Sequence, residues 1–262
     1  MKKVIHLYLH YIALNVRSLM QYKASFFLTA AGQFLVSFTA FLGMFFMFQR
    51  FPDVEGFTYS EVLLCFGIML MEYSLAEMFA RGFDLFPGMV KSGEFDRVLV
   101  RPQNEIIQVL GSKFELTRFA RMIQAVIMFL YGISESGISW NISRILTVIF
   151  MLIGGTVLFT AVFIIYAAFC FFTLEGLEAI NIFTDGAREF GKYPVGIYGK
   201  KFLILTTFFI PYALVQYHPL LYLLGRRTEP FFIILPLAAC LFLVPALLFW
   251  RFGVRRYQSS GS

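Results

Sequence analysis

Residues 145–172 form a long apolar run that contains no charged side chain. A helix rises about 1.5 Å per residue, so roughly 20 apolar residues cross the hydrocarbon core of a bilayer. This run is long enough to cross, and further strongly apolar runs occupy residues 25–48, 61–80 and 231–250. Because lipid offers the backbone no hydrogen-bonding partners, such segments are expected to fold as helices.

The composition argues against an ordinary soluble domain. Of the 262 residues, 59% are hydrophobic and only 15% are charged, whereas soluble domains carry about 25% charged residues. Cys65, Cys170 and Cys240 lie far apart within apolar runs, which predicts neither a disulfide framework nor a metal cluster. We predict an all-α, polytopic membrane protein with a single transmembrane domain at residues 1–258 and a short tail at residues 259–262.

The third predicted span, at residues 116–133, is interrupted by two arginines. Arg118 and Arg121 either snorkel to the inner membrane interface or belong to a helix that continues to Trp140. The residues themselves leave both alternatives open. A fifth span at residues 198–217 brings the prediction to six transmembrane helices.

The chain before the last span is apolar but broken by prolines. Proline removes a backbone donor and clashes with the preceding helical turn, so a simple crossing helix is disfavoured here. We predict a helix that breaks near the outer surface and dips back into the membrane. This outer re-entrant element contains Pro211, Tyr217, Pro219 and Gly225.

Residues 2–22 have the pattern of a helix that lies on the membrane. Polar side chains recur on one helical face at spacings of three, four and seven residues. They are Lys3, His6, His10, Arg17 and Gln21. A cationic stripe opposite an apolar face is typical of an interfacial amphipathic helix. No third ligand lies near the two histidines, so we predict no metal site there.

The distribution of basic residues predicts the orientation in the membrane. With the N-terminus inside, 18 of the 22 Lys and Arg residues fall in inner segments. Cytoplasmic loops collect Lys and Arg, so both termini are expected in the cytoplasm of a multi-pass protein of the inner (cytoplasmic) membrane. The same bias accounts for the net charge of +6 without any nucleic-acid partner.

Two carboxylates lie within the second predicted span, at Glu72 and Glu77. Charged groups inside a bilayer are costly and usually face protein or water. Glu77 precedes Arg81 by four residues, which predicts a helix salt bridge near the inner surface. Glu72 lies deeper without a local partner. It either lines a substrate or proton path or pairs with another helix or subunit.

Residues 84–103 form a well-developed polar segment between the second and third spans. Pro87 and Gly88 are expected to break the incoming helix, and Gly93 to break the chain a second time. The short amphipathic turn that follows consists of Gly93, Glu94, Phe95, Asp96, Arg97, Leu99, Arg101 and Pro102. At the inner membrane surface, such a turn is suited to contact with a soluble partner.

Recognisable enzyme motifs are absent from the sequence. It has no GxxxxGK[ST] phosphate loop, no HExxH or CxxC pair and no nucleophile-elbow serine. We therefore predict that the chain is not an enzyme, with no catalytic residue, bound cofactor or metal. Three function classes remain open. They are a permease driven by a separate ATPase, an ion-coupled secondary transporter or channel, and a membrane anchor for a cytoplasmic partner.

Three segments carry a resemblance to a known family. KSGEFDRVLVRPQN at residues 91–104 contains a GEFDxxLxRP pattern, FGKYPVGIY covers residues 190–198, and residues 210–225 contain spaced Pro, Tyr-Pro and Gly. In this order and on this topology, they resemble ABC-2-type permeases, the membrane-spanning subunits of ATP-binding cassette exporters. The chain departs from the family pattern at Tyr212, where Phe is usual, and at the inserted His218.

The resemblance implies a dimer of six-helix permeases, identical or related, each docked on a separate ATPase subunit that binds ATP and Mg²⁺. It implies outward transport, with residues 84–103, the inner loop, contacting the ATPase and the outer re-entrant element closing the path. Arg97 and Arg101 would then bind carboxylates or carbonyls of the ATPase, while Phe95 and Leu99 would fill a groove. An aromatic-rich interior favours an apolar or amphipathic cargo such as a drug, lipid or peptide.

Overall fold

The computed structural model describes residues 2–173 and 183–258, whose regular structure is helical apart from one isolated bridge. The predicted tail at residues 259–262 lies outside this description. The helices up to residue 169 are α1 (Lys2–Gln21), α2 (Lys23–Arg50), α3 (Tyr59–Asp84), α4 (Phe86–Lys91), α5 (Glu94–Leu99), α6 (Glu105–Ser112), α7 (Arg118–Glu135) and α8 (Ile142–Phe169). The later helices are α9 (Asp185–Phe190), α10 (Lys200–Phe208), α11 (Tyr212–Val215), α12 (Tyr217–Leu223), α13 (Phe231–Ala239) and α14 (Leu243–Arg256).

Four helices within the described residues are long and apolar enough to cross a membrane. They are Lys23–Arg50 (α2), Tyr59–Lys91 (α3 continued by α4), Ile142–Phe169 (α8) and Phe231–Arg256 (α13 continued by α14). The bent pair α10 and α11–α12 is a fifth candidate. The prediction of an all-α, multi-pass membrane protein is therefore confirmed. Helix α7 covers most of the third predicted span without being one of these candidates, and it ends at Glu135, so its extension to Trp140 is wrong.

Helix α3 is the centre of the bundle. In its most apolar stretch 89% of the residues are buried, against 11% for α2, which lies at the periphery. Helices α7 and α8 pack on α3, and the last span, α13–α14, packs on α8. A capping box fixes the start of α3, because the Thr58 and Glu61 side chains each bind the other's backbone amide.

The first helix break lies earlier than the sequence predicted. Helix α3 ends at Asp84 and Leu85 interrupts it, whereas Pro87 and Gly88 lie inside α4. A proline in the first turn of a helix removes no hydrogen bond, so Pro87 starts α4 rather than stopping α3. The second break is at the predicted place, since Gly93 has φ = 71°, a left-handed conformation that favours glycine.

The predicted fifth span is not one continuous helix. Helix α10 ends at Phe208, and the chain turns by 89° before α11 and α12. Pro211 stands at the start of α11, where it donates no backbone hydrogen bond. Gly225, with φ = 70°, ends the turn after α12. The shape matches that of a helix that breaks and folds back.

Helix α1 packs against α6 and the later part of α3. Its polar residues His6, His10, Arg17 and Gln21 are exposed, while the side chain of Lys3 lies outside the described set. On the opposite face, Tyr8 donates a hydrogen bond to the carbonyl of Phe79 at 2.8 Å, and Asn15 donates one to Gly111 of α6 at 3.2 Å. Burial raises the pKa of Tyr8 to about 12. These contacts attach α1 to α3 and α6.

Gly82 permits the close approach of α3 and α6. A Cβ atom at Gly82 would overlap the carbonyl oxygen of Val109 and lie 2.6 Å from the Ser112 hydroxyl oxygen. We expect Gly82→Ala to destabilise the protein by about 1–3 kcal/mol because the two backbones must separate. The matched control Gly32→Ala meets no atom within 4 Å and is expected to be neutral or stabilising. Thermal unfolding in detergent measures both, and equal melting temperatures would contradict this packing.

Candidate functional site: the inner loop and the charged end of the bundle

Helix α5 is attached to the end of the last span through Phe95. This side chain is fully buried, and its ring centroid lies 4.9 Å from Phe86, 5.5 Å from Phe171 and 5.1 Å from Tyr257. Trp250 of α14 completes the aromatic cluster at 6.1 Å. The prediction that Phe95 fills a partner's groove is therefore wrong, because the chain's own aromatic rings surround it.

The other face of α5 and the turn after it point away from the protein. Leu99 is 42% exposed and Val100 is 81% exposed. The remaining exposed residues of the segment are Glu94, Arg97, Arg101 and Pro102. The structure thus leaves an apolar spot surrounded by charges. Val100 belongs to the apolar triplet at residues 98–100 of the sequence, although it is not among the predicted site residues.

A buried glutamine side chain fixes the C-terminal part of this segment. The amide nitrogen of Gln108 is buried and donates to the carbonyls of Val98 at 3.0 Å and Gln103 at 3.1 Å. On the other side, burial and the nearby Asp96 carboxylate raise the pKa of Tyr257 at the end of α14. The contribution of Gln108 was not predicted, because an isolated glutamine carries no recognisable pattern.

Glu77 binds three arginines at the end of the bundle next to residues 84–103. Its Oε1 lies 3.1 Å from Arg81 and 3.1 Å from Arg118, and its Oε2 accepts a hydrogen bond from Arg121. The predicted pair with Arg81 is confirmed. Arg118 and Arg121 are only 8% and 3% exposed. Snorkelling of these two residues is therefore wrong, since both turn inward to Glu77.

This arginine cluster continues into neighbouring helices. Arg121 also donates to the side-chain oxygen of Gln33 on α2. Tyr73 of α3 donates to Asp185 of α9 at 3.1 Å, and Arg188 lies over the Tyr73 ring. Hydrogen bonds and ion pairs therefore connect α2, α3, α7 and α9 close to the inner loop.

Glu72 is buried inside the subunit, at 1% exposure. A Cβ atom on Gly155 of α8 would overlap its carboxyl group, which shows how closely α8 covers it. Its Oε1 has no hydrogen-bond partner within the described residues. Pairing with a second subunit is incompatible with this burial. A role in a substrate or proton path stays a prediction.

The outer re-entrant element is held by Gln216, which sequence analysis missed. Its amide nitrogen donates to the carbonyl of Tyr193 at 3.1 Å and to Gly191, and its oxygen accepts from the backbone of Val195 at 3.3 Å. The neighbouring Tyr217 packs directly on Gly196, where a Cβ atom would overlap the ring. Pro219 is buried beside them. The segment before α10 therefore supports the fold-back.

The far end of α3 carries a separate ion pair. Arg226, just after the re-entrant element, lies 2.7 Å from Glu61 and 2.7 Å from the carbonyl oxygen of Gly56. Its guanidinium also lies 4.3 Å from the ring centroid of Phe57. Glu61 and Glu77 are about 24 Å apart along α3. The re-entrant element, predicted to be outer, and the Glu77 cluster, predicted to be inner, thus lie at opposite ends of α3.

Comparison with known proteins identifies the family. A family profile described as ABC-2 family transporter protein matches residues 34–261. The search of curated proteins and the search of solved structures each gave no match. The matched range runs from α2 to the end of the chain and includes the inner loop and the outer re-entrant element. The chain therefore belongs to the ABC-2 family of transporter proteins.

Proposed function

We propose that this chain is the transmembrane permease subunit of an ABC exporter, in the subgroup with the GEFDxxLxRP loop. Six transmembrane helices result when α7 and the bent unit α10–α12 are counted as spans. Two permeases, identical or related, form the substrate path in the inner membrane, with both termini in the cytoplasm. A separate ATPase subunit binds ATP and Mg²⁺, and the cargo is an apolar or amphipathic compound.

The two-sided environment of α5 is the observation that carries this proposal. Phe95 packs against Trp250 of the last span, while Leu99 and Val100 on the outside are free for a partner. A protein that pushes on the exposed side would move the buried side with it. Because packed helices shift as rigid bodies, this movement would reach α14 and the path between subunits.

The cluster around Glu77 supports the same mechanism. It connects the inner ends of α3 and α7, and through Arg121 also α2. Separating buried ion pairs would leave charges uncompensated, so these helices are expected to move together. Displacement of the inner loop would then be transmitted to several spans instead of being absorbed locally.

We expect Arg101→Glu and Leu99→Asp each to weaken binding of the ATPase subunit. Loss of a central contact in an interface costs about 2 kcal/mol, which is a roughly 30-fold increase in Kd. Titration of the ATPase against the permease in lipid nanodiscs measures this. Arg50→Glu, at the exposed end of α2, is the matched charge-reversal control. Unchanged affinity in both loop variants would remove α5 from the docking surface.

Transport into inverted vesicles separates the proposed function from its alternatives. An amphipathic dye should accumulate only when the permease, the ATPase and ATP are all present. Accumulation driven by an ion gradient without ATP would make the chain a secondary transporter or channel. An ATPase that binds the chain while no compound moves would make it a membrane anchor.

A further inference from the structure

A groove of about 350 Å³ runs between α2 and α7. One wall is a ladder of phenylalanines on α2, whose ring centroids are 6.0 Å apart for Phe34 and Phe38 and 5.9 Å apart for Phe38 and Phe41. Tyr59 and Tyr131 complete the aromatic lining. Pockets of this size with mostly aromatic walls are typical of sites for small organic molecules.

Two residues that line this apolar space carry buried, unpaired polar groups. Gln124 of α7 lines the groove and is 4% exposed, yet neither its amide nitrogen nor its amide oxygen has a partner in residues 2–173 and 183–258. The Tyr59 hydroxyl is likewise buried without a partner in that part of the chain. Buried polar groups are nearly always hydrogen-bonded, and lipid cannot supply the missing partner. Rotation of the Gln124 side chain toward the groove would therefore offer an occupant both a donor and an acceptor.

The lining also restricts the charge of the occupant. No Lys, Arg, Asp or Glu side chain lines the described groove. Arg121, one turn before Gln124, is bound to Glu77 and Gln33. An ionised group entering the groove would lose its hydration without gaining a counter-charge, which is strongly unfavourable. A hydrocarbon chain would fill the volume but would leave the amide unpaired.

We propose that this groove binds a neutral amphipathic molecule that carries a carboxamide-like group. Its aromatic or alkyl body packs on the α2 phenylalanines, while its carbonyl oxygen accepts from the Gln124 amide nitrogen and its N–H donates to the Gln124 oxygen. The Tyr59 hydroxyl is a further hydrogen-bonding group. The inference deepens the proposed function by naming the class of cargo, and it rests on that function only for the statement that the molecule is transported.

Photolabelling tests the site without any ATPase. The full chain in phosphatidylcholine vesicles is irradiated with benzophenone-4-carboxamide, and the labelled residues are mapped by mass spectrometry. We expect labelling of groove residues such as Met128, reduced at least five-fold in Gln124→Leu and at least two-fold in Tyr59→Phe. Thr39→Val, on the exposed side of α2, is the control and should label like the wild type. The analogue 4-methylbenzophenone, which lacks the amide, should label wild type and Gln124→Leu equally.

Equal amide-dependent labelling of wild type, Gln124→Leu and Tyr59→Phe would overturn the proposal. If Gln124→Leu does not fold, the labelling of Tyr59→Phe alone tests the proposal. This variant removes a single oxygen and is expected to fold. Labelling in the absence of ATP-driven transport would retain the site and refute the export function. ATP-driven transport without labelling would retain the export function and refute the site.

Discussion

Glu77→Gln is expected to lower the free energy of unfolding by about 3–5 kcal/mol, because it leaves buried arginines without their carboxylate. Arg118 and Arg121 are almost fully buried, and both pair with Glu77. Arg81 retains Asp84 as a second partner, so most of the penalty arises from α7. For a chain of this size the melting temperature should fall on the order of 10 °C.

The matched control for this prediction is Glu189→Gln. Glu189 also pairs with a basic residue, Lys192, but its side chain is 56% exposed, and exposed pairs contribute about 1 kcal/mol or less. The double variant Glu77→Gln with Arg118→Gln should recover part of the loss, because one uncompensated charge disappears. Melting curves in detergent measure all three variants. Equal shifts for Glu77→Gln and Glu189→Gln would show that the arginine cluster contributes no specific stability.

Phe95→Ala is expected to disconnect the inner loop from the last span. Removing a fully buried phenylalanine costs about 3–5 kcal/mol, and the lost contacts include the one between Phe95 and Trp250 of α14. We expect ATP-driven transport to fall more than ten-fold while the ATPase still binds, because Leu99 and Val100 remain on the exposed side. Loss of binding in parallel with transport would contradict a purely connecting role for Phe95.

Trp250 reports directly on this connection. It is fully buried in the aromatic cluster, and replacement of Trp140 by Phe makes it the single tryptophan of the chain. In that background, Phe95→Ala should shift the fluorescence of Trp250 to longer wavelength as water enters. Phe51→Ala, which truncates a phenylalanine that is 56% exposed at the end of α2, should leave the emission unchanged.

The positions of the apolar helices follow from the sequence because the membrane sets the length and hydropathy of a span. The span predicted at residues 25–48 corresponds to the helix Lys23–Arg50, and the span predicted at residues 145–172 corresponds to the helix Ile142–Phe169. Errors at the ends have local causes. Helix α3 starts before residue 61 because Thr58 and Glu61 form a capping box, a feature readable from their spacing. The two breaks around the inner loop were also foreseen, although the first lies before Pro87.

The missed features depend on contacts between residues far apart in the chain. Arg121 pairs with Glu77, which lies 44 residues earlier in the chain. No local sequence pattern distinguishes such a pairing from an arginine that snorkels to the membrane interface. The amphipathic pattern of α5 shows that Phe95 is apolar but not whether its neighbours belong to the same chain or to another protein. Gln108 and Gln216 were missed for a similar reason, since a glutamine fits many environments.

The peripheral position of α2 makes this helix sensitive to the thickness of the bilayer. Only 11% of its apolar stretch is buried within the chain, so most of its surface is left to lipid tails or to a second subunit. A helix whose apolar length differs from the local hydrocarbon thickness responds by tilting. Tilting of α2 against α7 would separate the phenylalanine ladder from Gln124 or bring them closer. Membranes of different acyl-chain length should therefore change the affinity of the groove with no change in the protein itself.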